Sequence, residues 1–396
     1  MENITELPIT DKNRIKPKLK GSVYTNDIFI NKKGEGYWVI GNLEQDTQFM
    51  LPAHQKGSFE RVSALLDGNH TIADISRKAG IRESEIENIV RILRGKGLIE
   101  EDDSAPVRFN EVDNFSIKLI NYNFRDIKDR KKSQRTAKIL SNILVIAFAL
   151  AVVLFFILNV NNGFSIFRKT SINHWLNYGN GSSNSWLGYL LINGGMILMF
   201  VFHEIGHVVA GIRCGVQPQN FSLVLYFGII PMFYVKNKNI YSLKKQYILK
   251  VLFAGVFVNL LLCFVFLNLF LVTEYELYKI LALSNLRIFL INLSPLSLSD
   301  GYFIFTVILR HPNLRYKLHQ FWSKPSSIFK YNLIEVVYSL LSTLIMMGTM
   351  GIEIIWLLSL FPISSGLRNV LVILVLFLYY VGLHLLEKRK FKHLKV

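Results

Sequence analysis

Residues 186–213 read WLGYLLINGGMILMFVFHEIGHVVAGIR, and this stretch decides what kind of protein the chain is. No side chain from Trp186 to Phe202 is charged, and the whole run is long enough to cross a hydrocarbon layer as one helix. Towards its end stand His203, Glu204 and His207, three ionisable groups in surroundings where each is costly unless it meets a partner. On a helix the two imidazoles, four residues apart, project from one face about a turn apart and can share one cation. Glu204 then lies beside the cation, placed to accept a proton from attacking water. Zinc is the economical cation for such a pair. The composition of this chain yields a His-Glu-x-x-His match by chance roughly 0.01 times. The competing reading is a set of buried polar groups that holds helices together.

Outward from this stretch the chain keeps the same character. Of its 396 residues 51% are hydrophobic and 18% charged, which excludes a soluble single-domain protein and a disordered chain. Six segments are long enough, or nearly so, to span a bilayer: Ile139–Val160, Trp186–Arg213, Tyr247–Val272, Leu277–Leu296, Leu333–Leu358 and Val370–Leu386. The fold class expected is a polytopic α-helical membrane protein with about six transmembrane helices and a small α+β winged-helix-like domain at the N-terminus. Arg287 near the middle of the fourth segment and Pro295 near its end make that span the weakest.

The net charge of +17 would suit nucleic acid, but its distribution points to a membrane instead. Basic side chains number seven in 125–138, four in 214–246, five in 301–332 and five in 387–396; the alternate connections, 161–185, 273–276 and 359–369, hold two, none and one. Cytoplasmic loops collect Lys and Arg, so both termini are expected in the cytoplasm of a multi-pass cell-membrane protein. The 15-residue apolar run Phe221–Val235 is excluded from the count. Gly228-Ile229-Ile230-Pro231 breaks any helix there, and the flanks have strand-like composition, so a re-entrant hairpin is expected. Cys214 and Cys263 form no disulfide framework or thiolate metal set.

A catalytic zinc takes three protein ligands and leaves a position for water. Asp300, in Asn292-Leu293-Ser294-Pro295-Leu296-Ser297-Leu298-Ser299-Asp300-Gly301, is the candidate third ligand. At 1.5 Å per residue His207 lies roughly 32 Å below Trp186 and Asp300 roughly 35 Å below Leu277, which puts them at matching depth. The alternative for Asp300 is a solvated acid at a helix end. Arg287, Glu353 and His384 are assigned no part in catalysis, and the basic run Lys388–Lys395 reads as an anchor to anionic lipid headgroups.

Domain boundaries follow from composition: a polar tail at 1–21, a compact domain at 22–104, a basic linker at 105–138, the membrane domain at 139–386 and a basic tail at 387–396. Met1–Lys20 lacks the apolar core of a signal peptide. The compact domain offers strand-like runs at Tyr37–Ile40 and Gln48–Leu51, then three helices. One opens with a capping-box-like Thr71-Ile72-Ala73-Asp74, and a closing strand follows at Leu98-Ile99-Glu100. From Leu51 to Asp103 eight basic side chains face ten acidic ones, so nucleic acid is not an expected partner.

His203-Glu204-x-x-His207 together with Asn292-x-x-Pro295-x4-Asp300-Gly301 resembles the site-2 protease family of intramembrane zinc metalloproteases. Ala254-Gly255-Val256-Phe257-Val258-Asn259 is similar to that family's small-residue packing segment, and the Phe221–Val235 hairpin to its membrane-embedded β element beside the substrate. The resemblance covers roughly Trp186 to Tyr302; Ser297 departs from it, where many relatives carry a second proline. It implies Asn259 and Asn292 as polar groups near the active site in contact with substrate, with simple interhelical hydrogen bonding as the alternative. Ser63-Ala64-Leu65-Leu66-Asp67-Gly68, Thr71–Ile75 and Gly97-Leu98-Ile99 make the N-terminal domain resemble PqqD-like domains, which bind the leader of a ribosomally made precursor peptide as an added strand. The alternative there is a winged-helix scaffold that docks another protein or stiffens the linker.

Together these readings lead to an expected function: a zinc metalloendopeptidase acting near the cytoplasmic face, with His203, His207 and Asp300 as ligands and Glu204 as the catalytic acid/base. Its expected substrate is a precursor peptide or a small membrane protein, with other proteins of a peptide-modifying pathway as further partners, and the resemblance implies a bacterial plasma membrane. The alternative is a non-catalytic membrane protein that binds a peptide for export or immunity. A di-iron membrane oxygenase is disfavoured, because it needs several histidine clusters.

Overall fold

The computed structural model describes residues 16–31, 33–43, 47–95, 98–100, 116–161, 186–226, 230–296, 299–312, 333–359, 364, 366–374 and 377. Most of the 1–21 tail, the 387–396 tail, Ser297, Gly97, His384 and the end of the sixth segment lie outside the described residues. The chain divides into two compact units, one built from the N-terminal part through Ile139 together with Val208–Val251, the other from Leu140–His207 and the part from Leu252 on.

The first unit begins with an antiparallel sheet of β1 (Val23–Ile30), β2 (Gly36–Asn42) and β3 (Thr47–Pro52), in that order, followed by α1 (Lys56–Ser63), α2 (Ile72–Ala79) and α3 (Glu83–Gly95). Trp38 and Ile40 from the sheet and Phe59, Val62, Ile75, Ile86, Val90 and Leu93 from the helices close one core. The expected cap is present: the Thr71 hydroxyl accepts from the Asp74 N–H, and the Asp74 carboxylate accepts from the Thr71 N–H. Leu98-Ile99-Glu100 closes the domain through an isolated bridge between Ile99 and Leu19.

A second antiparallel sheet in this unit joins β4 (Ser116–Asn123), β5 (Gln217–Tyr226) and β6 (Ile230–Lys238) in the order β4-β5-β6. The hairpin expected at 221–235 is thus formed, with Phe221 opposite Val235 and Leu223 opposite Phe233. The segment expected to be a basic linker differs from its reading, because residues 116–123 are a strand that pairs along β5. Asn26, at a bulge in β1, donates from Nδ2 to the carbonyls of Tyr241 and Leu243 at 2.8 Å each, which ties the N-terminal domain to the turn after β6.

The long helices are α4 (Arg130–Asn161), α5 (Trp186–Cys214), α6 (Lys245–Thr273), α7 (Glu276–Leu293), α8 (Asp300–Leu309) and α9 (Leu333–Ser359). Among the described residues three helices are long and apolar enough to cross a membrane: Arg130–Asn161, Gly194–Cys214 and Lys245–Thr273. Helix α4 starts nine residues before the apolar segment that predicts it, because Asp129 caps it by accepting from the Lys132 N–H at 2.9 Å. Its apolar part exposes Ile143, Ile146, Leu150, Val153 and Phe156, a surface suited to lipid.

In the second unit α4 packs on α6 through Phe148 against Phe257 and Phe155 against Phe264, with ring centroids 5.1 and 5.3 Å apart. The Asn268 amide donates to the Ala151 carbonyl at 2.8 Å across the same contact. Helices α5 and α6 cross at glycines. A Cβ on Gly206 would lie 2.9 Å from the Ala254 carbonyl oxygen, so only glycine allows this approach. The expected fourth span is shorter than its reading: α7 stops at Leu293, Ser294 turns extended ahead of Pro295, and the chain restarts as α8 at Asp300. Lys279 in α7 is buried, pairs with Glu276 at 2.8 Å and lies over the Phe270 ring.

Candidate metal centre

Three elements of the second unit build the site. Helix α5 contributes His203, Glu204 and His207; α6 contributes Gly255 and Asn259; the start of α8 contributes Asp300. His203 Nε2 and His207 Nε2 lie 3.0 and 3.1 Å from the same oxygen, Asp300 Oδ2, and 3.2 Å from each other. Among the described residues, this is the one group of three or more histidine, cysteine, aspartate or glutamate side chains arranged to hold an ion. His203, Glu204 and His207 are buried.

Each contact has a local cause. The four-residue spacing on α5 puts both rings on the face turned to α6. Gly255 supplies the room for them: a Cβ there would lie 2.6 Å from both Cε1 and Nε2 of His203 and would also strike His207 Nε2. Asp300 opens α8, where the helix dipole favours a carboxylate. Gly301 lets that first turn close on the end of α7, since a Cβ on it would reach the Ser294 carbonyl oxygen at 2.5 Å.

The donor set fits a cation. Two imidazole nitrogens and one carboxylate oxygen form a triangle with sides of 3.0 to 3.2 Å, while one face of a tetrahedron with zinc bonds of about 2.0–2.1 Å has sides of roughly 3.3 Å. Two N–H groups aimed at one oxygen would leave the nitrogens facing each other as donors, an arrangement that a shared cation relieves. Asn259 adds an independent sign. It is fully buried, its Nδ2 lies 2.9 Å from His203 Nδ1, and its Oδ1 has no hydrogen-bond partner. Turning the amide over brings Oδ1 to Nδ1, where it accepts from Nδ1–H and leaves Nε2 with a lone pair for a metal.

The geometry therefore joins four of the six residues singled out in the sequence, His203, His207, Asp300 and Asn259, and sets Glu204 Oε1 4.0 Å from His203 Nε2. Asn259, expected at the substrate, has its amide engaged with His203 Nδ1. Asn292, half-buried in the last turn of α7, is not part of the His203, His207 and Asp300 cluster. Gly255 acts as a space for the rings, a role that its place in a small-residue segment foreshadows without specifying. No family model, no curated protein and no solved structure matches the chain.

Proposed function

We propose that the protein is a membrane zinc metalloendopeptidase. What carries this reading is the convergence of His203 Nε2, His207 Nε2 and Asp300 Oδ2 within 3.0 to 3.2 Å, buried, with a carboxylate next to them in the sequence and in space. Zinc bound there would supply a Lewis acid for the scissile carbonyl and would make water a nucleophile at neutral pH. The other steps belong to the chain's own side chains. His203, held by Asn259, and His207 present their Nε2 atoms; Asp300 balances charge with one carboxylate oxygen. Glu204 takes a proton from the attacking water and delivers it to the leaving amide nitrogen.

The substrate in this reading is the precursor of a ribosomally made, modified peptide, delivered by a leader that the N-terminal domain binds. Its scissile segment must be extended, since a helix keeps its carbonyls in internal hydrogen bonds. An extended segment is also what an open strand edge pairs with. In the same reading the six apolar segments span the cell membrane and both termini are cytoplasmic, in accord with the basic loops.

The test is mass spectrometry of candidate precursors from cells with the wild-type protein and with Glu204→Gln. Loss of the cleaved product with zinc still bound is the expected result. Unchanged cleavage would remove the catalytic role and leave a peptide-binding membrane protein.

A further inference from the structure

The break between α7 and α8 frees backbone carbonyls from helical partners, and α9 answers two of them. Tyr338 Oη donates to the Pro295 carbonyl at 2.9 Å, and Ser342 Oγ donates to the Leu296 carbonyl at 2.6 Å. The two hydroxyls are four residues apart, so they leave α9 from one face and meet consecutive carbonyls of the open turn. Both side chains are buried. The Tyr338 ring also stacks on Phe305 of α8, with centroids 6.0 Å apart and planes 9° apart, and packs with Tyr302 in one apolar cluster. Helix α9 thus grips the chain on both sides of Asp300.

We infer that Tyr338 and Ser342 are positioning residues for Asp300. The inference rests on the reading of His203, His207 and Asp300 as metal ligands. A carbonyl left without a donor in an apolar interior costs free energy, and the turn would rearrange to find one. Asp300 lies five residues beyond Pro295 and four beyond Leu296, and a shift of about 1 Å in its carboxylate is enough to loosen a three-ligand site. The two hydroxyls therefore act on the metal through the backbone.

The experiment uses the full chain in lipid nanodiscs, with zinc affinity read by competition with a chromophoric chelator and coordination geometry read from the absorption bands of the cobalt-substituted protein. Tyr338→Phe keeps the stacked ring and removes only the hydroxyl. The double variant Tyr338→Phe/Ser342→Ala is expected to bind zinc about 10- to 100-fold more weakly, the range seen when supporting partners of metal ligands are removed, and to alter the cobalt spectrum. Ser342→Thr retains a hydroxyl and is expected to keep the wild-type values as a single variant and, when it replaces Ser342→Ala, to recover only the part of the loss that exceeds that of Tyr338→Phe alone. Thr343→Val is the control: the Thr343 hydroxyl donates to the Ser339 carbonyl at 2.8 Å within α9, so its loss is expected to leave affinity unchanged.

Wild-type affinity and spectrum in the double variant, with binding abolished by Asp300→Ala, would overturn the positioning role and leave the metal site standing. Unaltered binding by Asp300→Ala would overturn the metal reading and this inference with it. If the double variant fails to fold, Tyr338→Phe decides alone: an affinity within twofold of wild type counts against the role, and a larger loss with a changed cobalt spectrum supports it.

Discussion

Gly255 on α6 faces His203 on α5 so closely that a Cβ at position 255 would lie 2.6 Å from the imidazole Nε2. The space between these helices is thus set by a residue that carries no chemistry. Gly255→Ala should push both rings off the shared direction while Ala254 and Val256 keep α6 intact. The expected outcome is loss of bound zinc, measured by elemental analysis, with helical content by circular dichroism unchanged. Zinc at the wild-type level in Gly255→Ala would show that the rings do not occupy this space in the working protein.

Asn259 makes a second, graded prediction. Its amide contacts His203 Nδ1 at 2.9 Å, so Asn259→Leu removes the group that fixes which ring nitrogen carries the proton while keeping similar volume. Zinc affinity should fall about 10- to 100-fold. Asn259→Asp, whose carboxylate accepts from Nδ1–H in either orientation, should bind zinc at least as tightly as wild type. Titration against a chelator of known affinity measures both. Equal affinities for all three proteins would reduce Asn259 to an interhelical contact.

Much of this centre is visible in the residues alone, because a His-x3-His pair on a helix converges by local geometry. Asp300 is a different case. A single helix from Leu277 to Asp300 gives the right depth, but α7 ends at Leu293, and Asp300 owes its place to the restart of the chain after Pro295. Tyr338 and Ser342 carry no local signal: they stand in a mostly apolar helix, and their hydroxyls acquire a role only once an open turn lies opposite. Strands β1 and β4 escape the sequence for related reasons. A bulge between Asn26 and Phe29 breaks the alternation of β1, and β4 pairs with a partner about a hundred residues away, from within a stretch whose charge dominates its reading. The Thr71–Asp74 cap and the hairpin expected at 221–235, which are local, are legible.

Acid should loosen the N-terminal domain through two carboxylates. The Asn69 N–H, at 2.8 Å, and the His70 ring hold the Asp67 carboxyl below the usual carboxylate range, and the Thr71 hydroxyl and N–H hold Asp74 low in the same way. A group whose folded pKa is depressed stabilises the fold above its unfolded value, near 4, and that contribution disappears as pH falls through the folded value. Amide exchange in α2 of the full chain should thus be independent of stability changes above about pH 5 and rise in opening frequency below about pH 4. Thr71→Ala should lower the free energy of α2 opening at neutral pH by about 1 kcal/mol, the usual cost of a lost cap, and flatten the acid response. An α2 equally protected at pH 6 and pH 3 would contradict this account.

Metal removal should leave the bundle folded. In the metal-free form the Asn259 amide can donate to His203 Nδ1 and the Asp300 carboxylate can accept from His203 and His207 Nε2–H at 3.0 and 3.1 Å, so the buried carboxylate keeps partners at the cost of two N–H groups 3.2 Å apart. Stability then changes only through mass action: zinc at about 100 times its Kd adds roughly 2.7 kcal/mol to the folded state. Thermal unfolding in nanodiscs should show a Tm that rises with free zinc and returns to one fixed value with excess chelator, while His203→Ala shows neither response. Unfolding on chelation alone would mean that the ion holds the helices together, and the hydrogen bonds among the three ligands would then contribute little.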